Sequence, residues 1–328
     1  MDEPGGRRIR LGPREMTFGS AELQILQPSN QLLGDPGALR RELADRGYLF
    51  IRGLHDRQEV LDARLEVLKY VKESGEGKLD ASFPWQQGVL DSRCGRGCVP
   101  FMEGKNSITH SDAVLKVIEG PRPRAFFRTL LGTEPQTFDY KWLRAMYNEG
   151  FTGAHVDWVY MSRGTDQLFT MWTPLGDVTM EMGTLAVCEG SHKLQSFQHF
   201  QETYGSLDVE EARLKGTGFF TEDPDEITQR FGGQWKSADF QAGDALIFTM
   251  RTVHMSTVNT TRFARVSCDT RWQPAGLPAD PRFTGDLGPV VPRFGVHGKD
   301  GTVQESEVTM EELKEKWGFR QLLSLKTI

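Results

Sequence analysis

The feature that most constrains this chain is a series of short apolar segments, each closed off by Gly, Pro, Asn or Asp, that runs from about residue 136 to 275. Ala154 to Met161, Leu168 to Pro174, Thr184 to Cys188, Asp244 to Met250 and Arg265 to Trp272 all have this form. Strand-length segments between turn residues predict an antiparallel sandwich or barrel. Gln136 to Tyr147, aromatic and alternating, reads as the strand leading into them.

The flanking sequence has a helical texture. Apolar positions recur at helical spacing from Pro36 to about Arg46, and Gly47 to Gly53 then reads as a short buried strand between glycines. Asp56 with Glu59 resembles a capping box before the amphipathic segment Val60 to Val71, and Gly75 and Gly77 lie past its end. Ser74 to Lys105 lacks a period and reads as a loop. His110 to Leu131 is helical but interrupted by Pro121 and Pro123. Leu194 to Phe240 is a polar, partly helical insertion, expected at the surface or as a lid. Thr309-Met-Glu-Glu312 forms a second capping-box pattern before Leu313 to Trp317. One catalytic domain over 1–328 is expected, mostly β with helical decoration (α+β). Its parts are a helix-rich 1–135, a core over 136–275 with the insertion 194–240, and a C-terminal extension 276–328.

Composition limits the function. In 328 residues, 38% hydrophobic and 26% charged, 20 Phe and 7 Trp suffice for a large soluble core. A formal charge of −6 argues against a broad nucleic-acid surface and for a small-molecule substrate. No uncharged run approaches the ~18 apolar residues of a membrane helix. Met1 to Arg8 lacks a signal-peptide pattern and Lys326-Thr327-Ile328 is not the usual peroxisomal tripeptide, so a cytoplasmic location is expected. Cys94, Cys98, Cys188 and Cys268 are too few and scattered for a disulfide scaffold, which suits a reducing compartment. Cys94-Gly-Arg-Gly-Cys98 lacks a matching Cys or His pair, so a glycine-rich surface loop is expected there rather than half of a zinc site. No pattern speaks to oligomeric state.

The chemistry-bearing residues lie inside the strand series. His155-Val-Asp157 places an imidazole and a carboxylate two residues apart, hence on one face of a strand. His254 stands at the end of the apolar strand expected from Ile247. Two His and one Asp form the facial triad that leaves coordination positions open on iron(II). A lone His-x-Asp also arises by chance; Arg265, beyond the turn Asn259-Thr-Thr-Arg262, adds weight. A hairpin there brings Arg265 near His254, and its planar fork suits a carboxylate. An ion site beside a carboxylate site implies a dicarboxylate co-substrate. The same segment places Arg265, Ser267, Asp269 and Arg271 on one face. Either these line a polar interior, or the face is exposed and Arg271 pairs with Asp269.

The ordered set resembles the phytanoyl-CoA dioxygenase-like family of iron(II)/2-oxoglutarate-dependent oxygenases. Similarity lies in His155-Val-Asp157, Trp172-Thr-Pro-Leu-Gly-Asp177, Gly183-Thr-Leu with Glu189-Gly-Ser-His192, His254 with Arg265, and the opening Asp45 to Leu54. The resemblance implies a double-stranded β-helix (jelly-roll, cupin-like) core. It implies Fe(II) held by His155, Asp157 and His254, with 2-oxoglutarate and O2 as co-substrates. Arg265 matches the arginine for the distal carboxylate, Ser256 would add a hydroxyl, and Trp172 matches a position lining the co-substrate pocket or serves as plain core. Arg144 would bind the other end of 2-oxoglutarate, contact substrate, or make a salt bridge. His192 is expected to be a turn residue, and His55, His110, His199 and His297 have no metal spacing. The implied activity is hydroxylation of a small molecule with release of succinate and CO2. The alternatives are a cupin-like hydrolase or isomerase, or a non-catalytic relative of the same fold.

Overall fold

The computed structural model describes residues 6–74, 78–95, 99–287, 290–291, 296–297 and 307–319. Each expected helix forms for a local reason. Pro36–Arg46 is capped by Asp35, whose carboxylate accepts from the Ala38 N–H, and ends at Gly47 with φ +83°. A Cβ at Gly47 would lie 2.6 Å from the His192 ring, so only glycine admits this close approach. Asp56 caps Arg57–Glu73 by accepting from the Gln58 and Glu59 N–H groups. Glu59 pairs with Lys116 on the helix Asp112–Ile118. Both halves of the capping box at Thr309 and Glu312 are present before Met310–Lys316.

The core strands form two antiparallel sheets with one parallel pairing at an edge, and Arg8–Leu11 with Arg14–Thr17 and Val290–Val291 with Val296–His297 form two separate two-stranded sheets. The first has the order Tyr48–Ile51, Ala245–Thr249, Phe169–Pro174, Arg265–Pro274, and the last of these also pairs with Pro135–Thr137 and Trp142–Met146. The second has the order His254–Ser256, Leu185–Glu189, Gln234–Ser237, with Gln24–Ile25 added in parallel. Tyr48, Phe50, Trp172, Leu246 and Phe248 of the first sheet meet Leu185 and Val187 of the second in one apolar layer. Alternate residues Leu49, Ile51, Met171 and Ile247 face outward under Leu39, Leu43, Phe126 and Phe127 of the helices Pro36–Arg46 and Pro121–Leu131. Tyr48–Ile51 and Ala245–Thr249 are therefore covered on both faces, which is why these two strands read as nearly unbroken apolar runs. The result is an α+β molecule around a double-stranded β-helix.

Several expectations need correction. Ala154 to Met161 is not a strand: His155 makes only a single bridge to His254, and Asp157–Val159 is a 3-10 turn. His254 does not end the strand that starts near Ile247. Ala245–Thr249 belongs to the first sheet and His254–Ser256 to the second. Arg265 then lies back in the first sheet, so the segment between them crosses from sheet to sheet and is no hairpin. Asn259 fixes this crossing by donating to the Met146 and Phe263 carbonyls.

The segment 194–240 is not a polar surface excursion either. Gln234–Ser237 is a member of the second sheet, and Phe197, Phe200, Tyr204, Phe220 and Phe231 are buried together. In the 74–105 stretch, Leu79 and Leu90 form a bridge, and Leu90, Cys94 and Met102 pack with the helix Arg57–Glu73. Cys94 is disulfide-bonded, which removes the cysteine argument for a reducing compartment. Cys188 and Cys268 are buried free thiols. Cys98, Gly75, Gly77 and both chain ends lie outside the described residues, as does the His297 side chain.

Candidate active site

His155 and His254 are brought together by their own backbones, each N–H donating to the other's carbonyl at 3.0 Å. That sets the two imidazole rings 4.1 Å apart. The 3-10 turn beginning at Asp157 then aims its carboxylate between them. Oδ1 lies 3.6 Å from His155 Nε2 and 3.7 Å from His254 Nε2. These separations are too long for hydrogen bonds, and the ligand atoms of the three residues all lie within 4.8 Å of one another. Among the described residues this is the one cluster of three or more His, Cys, Asp or Glu side chains so arranged.

The surroundings fix which atom of each side chain is offered. Nδ1 of His155 donates to the Gly153 carbonyl at 2.8 Å, and Nδ1 of His254 to the Thr252 carbonyl at 3.0 Å. Carbonyl partners select the Nδ1–H tautomer and leave both Nε2 lone pairs for a metal. Burial pushes the His254 imidazolium down to about 3, so that ring is neutral. Burial, the largest single effect, would raise the Asp157 carboxyl, but Arg271, His254 and His155 together outweigh it and hold Asp157 well below the ordinary carboxylate range. Two imidazoles facing a buried carboxylate are a donor set that fits a divalent transition ion, and iron(II) in particular.

Asp157 offers only one oxygen. Its Oδ2 accepts from Thr170 Oγ1 at 2.6 Å and forms an ion pair with Arg271, whose Nη2 lies 3.1 Å away. Thr170 and Arg271 are direct cross-strand partners, so one sheet register supplies both the hydrogen bond and the ion pair. Sequence reasoning missed Thr170 and offered Asp269 as a partner for Arg271. The exposed alternative for that face fails as well, since all ten residues of Arg265–Pro274 are buried.

The triad lies on a cavity of about 240 Å3 whose wall includes Trp142, Tyr160, Met161, Phe219 and Phe248. Arg265 also lines it and is only 2% exposed. Its Nη1 donates to Ser267 Oγ, its Nε has no partner, and among the described residues no carboxylate lies within ion-pair distance. Burial pushes the guanidinium down to about 10, which leaves it charged at neutral pH. A buried cation with a free donor fits a carboxylate arriving from outside. The Trp172 ring sits 5.8 Å from this guanidinium and also packs edge-on against Phe240, so it is both cavity wall and core. Ser256 Oγ accepts from the Thr152 N–H at 2.7 Å, which leaves its own proton available.

Of the three roles open to Arg144, the structure shows a salt bridge. Nε binds Glu103 and Nη1 binds Asp269, each at 2.6 Å. Glu103 comes from the aperiodic 74–105 stretch and also accepts from the Tyr140 hydroxyl. The remaining described histidines are engaged elsewhere. His192 contacts the Ala44 carbonyl beside the Gly47 turn, His199 the Trp317 carbonyl, His110 the Thr109 hydroxyl, and His55 the Thr173 hydroxyl.

A double-stranded β-helix with His, Asp and His at one cavity and a buried arginine beside them defines a 2-oxoglutarate-dependent dioxygenase. The chain belongs to the phytanoyl-CoA dioxygenase (PhyH) family, which matches residues 43–267. Among solved structures it is similar to SnoN, a non-haem alpha-ketoglutarate-dependent epimerase from nogalamycin biosynthesis. The identity is 19% and the TM-score 0.51, over 84% of this chain and 94% of that one. It is also similar to the carbocyclase SnoK from the same biosynthesis, at 18% identity and TM-score 0.51, covering 78% and 90%. EctD from S. alaskensis, with 2-oxoglutarate and 5-hydroxyectoine, matches at 17% identity and TM-score 0.52, covering 86% and 88%. At these identities the likeness establishes the fold.

Proposed function

We propose that this protein uses iron(II), 2-oxoglutarate and O2 to hydroxylate a small molecule. The observation that carries this reading is the cavity itself, where a His-Asp-His cluster and an unpaired buried arginine share one wall. His155, His254 and Asp157 Oδ1 would hold the metal. Arg265 would take the distal carboxylate of 2-oxoglutarate, with the free proton of Ser256 directed to the same group and Trp172 flanking it. When bound, iron with its 2-oxo acid supplies the oxidising chemistry, in which decarboxylation to succinate and CO2 is coupled to oxidation of a substrate C–H bond.

The chain's own residues do the rest. The carbonyls of Gly153 and Thr252 keep both imidazoles in the ligating tautomer. Thr170 and Arg271 hold Asp157 charged and turned to a single oxygen. Trp142, Phe219 and Phe248 give the cavity an apolar wall, which lowers the local polarity and so strengthens the charge interactions beside it. Arg144, held by Glu103 and Asp269, shapes the cavity wall.

Hydroxylation is favoured over halogenation because a carboxylate stands at position 157 and occupies the place a halide would need. Relatives of this fold named as an epimerase and a carbocyclase show that other oxidative outcomes occur on it. The test is oxygen-dependent conversion of 2-oxoglutarate to succinate by the iron-loaded protein, repeated in excess chloride once a substrate is found. Succinate lost in His155→Ala and His254→Ala, with an oxygenated product, supports the reading. Turnover that ignores O2 points to the hydrolase or isomerase alternative.

A further inference from the structure

Residues 307–319 lie beyond the 43–267 that carry the family match. They are nonetheless bound into the core. The Glu307 N–H donates to the Arg213 carbonyl and the Lys215 N–H to the Val308 carbonyl, so Val308 runs parallel beside Leu214. The helix Met310–Lys316 follows, and then Phe319, only 5% exposed, sets its ring edge-on to Phe220 at 5.5 Å and to Phe231 at 5.4 Å. Arg230 Nη1 donates to the Phe319 carbonyl and His199 Nε2 to the Trp317 carbonyl, which anchors this end.

Phe220 is the back of a wall whose front is the cavity. Its neighbours Thr217 and Phe219 line the cavity, and the Phe219 ring lies 5.4 Å from that of His155. The Phe220 N–H donates to the Ala154 carbonyl and the Ala154 N–H to the Thr221 carbonyl, so the wall is bonded to the residue next to a member of the metal cluster. Behind it, the Lys314 ammonium lies 4.4 Å from the Phe220 ring. Lysine is seldom buried unless paired. Lys314 is 4% exposed, and Glu226 and Glu311 hold its charge at 3.1 and 3.3 Å. The cation is thereby fixed against the aromatic ring it faces.

We propose that residues 307–319 are a working part of the active site. They brace Thr217 to Phe220 from behind and so fix where Phe219 stands beside His155, which makes Phe319 and Lys314 positioning residues for the cavity wall. This rests on the reading of the cavity as the iron and substrate site. Protein interiors are close-packed, so space opened behind Phe220 lets the wall recede, and Phe219 goes with it. In a cavity of about 240 Å3 the displacement of one aromatic ring changes how open the metal cluster is and what room is left for a substrate.

The test compares amide hydrogen exchange and iron release in the full chain. For release, the protein is loaded anaerobically with iron(II) and the metal is captured by an external chelator. Phe319→Ala should speed both exchange at 217–221 and capture by about tenfold or more, while exchange at 245–249 and 265–274 keeps the wild-type rate. Phe319→Leu restores most of the lost volume and should return both rates close to wild type. Lys314→Met keeps the volume and removes the cation, so it should raise the same two rates by a smaller factor. Lys316→Ala, exposed on the same helix, should leave them unchanged. Wild-type rates in both Phe319→Ala and Lys314→Met, or faster exchange spread evenly over all the sheets, would overturn the brace. If Phe319→Ala does not fold, wild-type rates in Lys314→Met alone would overturn it. A wild-type protein that holds no iron would instead overturn the reading of the site on which the brace rests.

Discussion

Thr170 and Arg271 face each other across adjacent strands and meet the same oxygen of Asp157, the hydroxyl by a hydrogen bond of 2.6 Å and the guanidinium by an ion pair of 3.1 Å. The turn aims the Asp157 carboxylate between the two imidazoles, and the sheet fixes which oxygen it presents. Removing one of the two partners without changing shape isolates the effect. Thr170→Val should keep the fold and weaken iron(II) binding about ten- to hundredfold, the usual cost of losing an outer-sphere partner. Unchanged iron affinity would show that Arg271 alone orients the carboxylate.

Arg265→Lys replaces a planar fork with a point charge. The loss of one charge-assisted hydrogen bond, roughly 1.5–3 kcal/mol, corresponds to about ten- to hundredfold weaker 2-oxoglutarate binding. An unaltered apparent affinity would assign Arg265 to structure.

Phe219 packs 5.4 Å from the His155 ring, and Thr217 lines the same cavity. The backbone there is anchored by the Phe220 N–H to the Ala154 carbonyl. Amide hydrogen exchange across 217–220 should slow when a substrate binds. Protection confined to other segments would move the substrate surface away from this wall.

His55 is buried, and burial pushes its pKa down to about 4. An unfolded histidine titrates near 6.5, so between these values the unfolded chain holds a proton that the folded one refuses. Stability from this group is full above about pH 6.5 and is lost as pH falls toward 4, by ~3 kcal/mol in all. Urea unfolding of wild type and His55→Gln across this range should show a shallower acid loss in the variant. Parallel curves would exclude His55 as a cause.

Much of the site is legible in sequence because its parts are local. His155, Asp157 and His254 stand in recognisable spacings, and Arg265 opens a strand whose polar alternation is plain. What joins them is not local. Thr170 looks like an ordinary strand residue until the register sets it opposite Arg271, and Glu103 looks like a loop residue until it meets Arg144. The crossing between Ser256 and Arg265 was hidden for a similar reason. Turn residues announce a reversal without saying whether the chain returns to the same sheet. The 194–240 segment did carry a readable signal, since Phe197, Phe200 and Tyr204 fall at helical spacing and share one buried cluster. Their burial is masked in the sequence by the polar residues between them.

The central claim is that one cavity holds a metal and a 2-oxo acid together. Its most direct test is anaerobic titration of the iron(II)-loaded protein with 2-oxoglutarate, watched for the weak visible charge-transfer band of the chelate. The band should grow to saturation in the wild-type protein, need higher 2-oxoglutarate in Arg265→Lys, and be missing in His155→Ala and His254→Ala. A spectrum that stays unchanged as 2-oxoglutarate is added to the iron-loaded wild type would contradict the account.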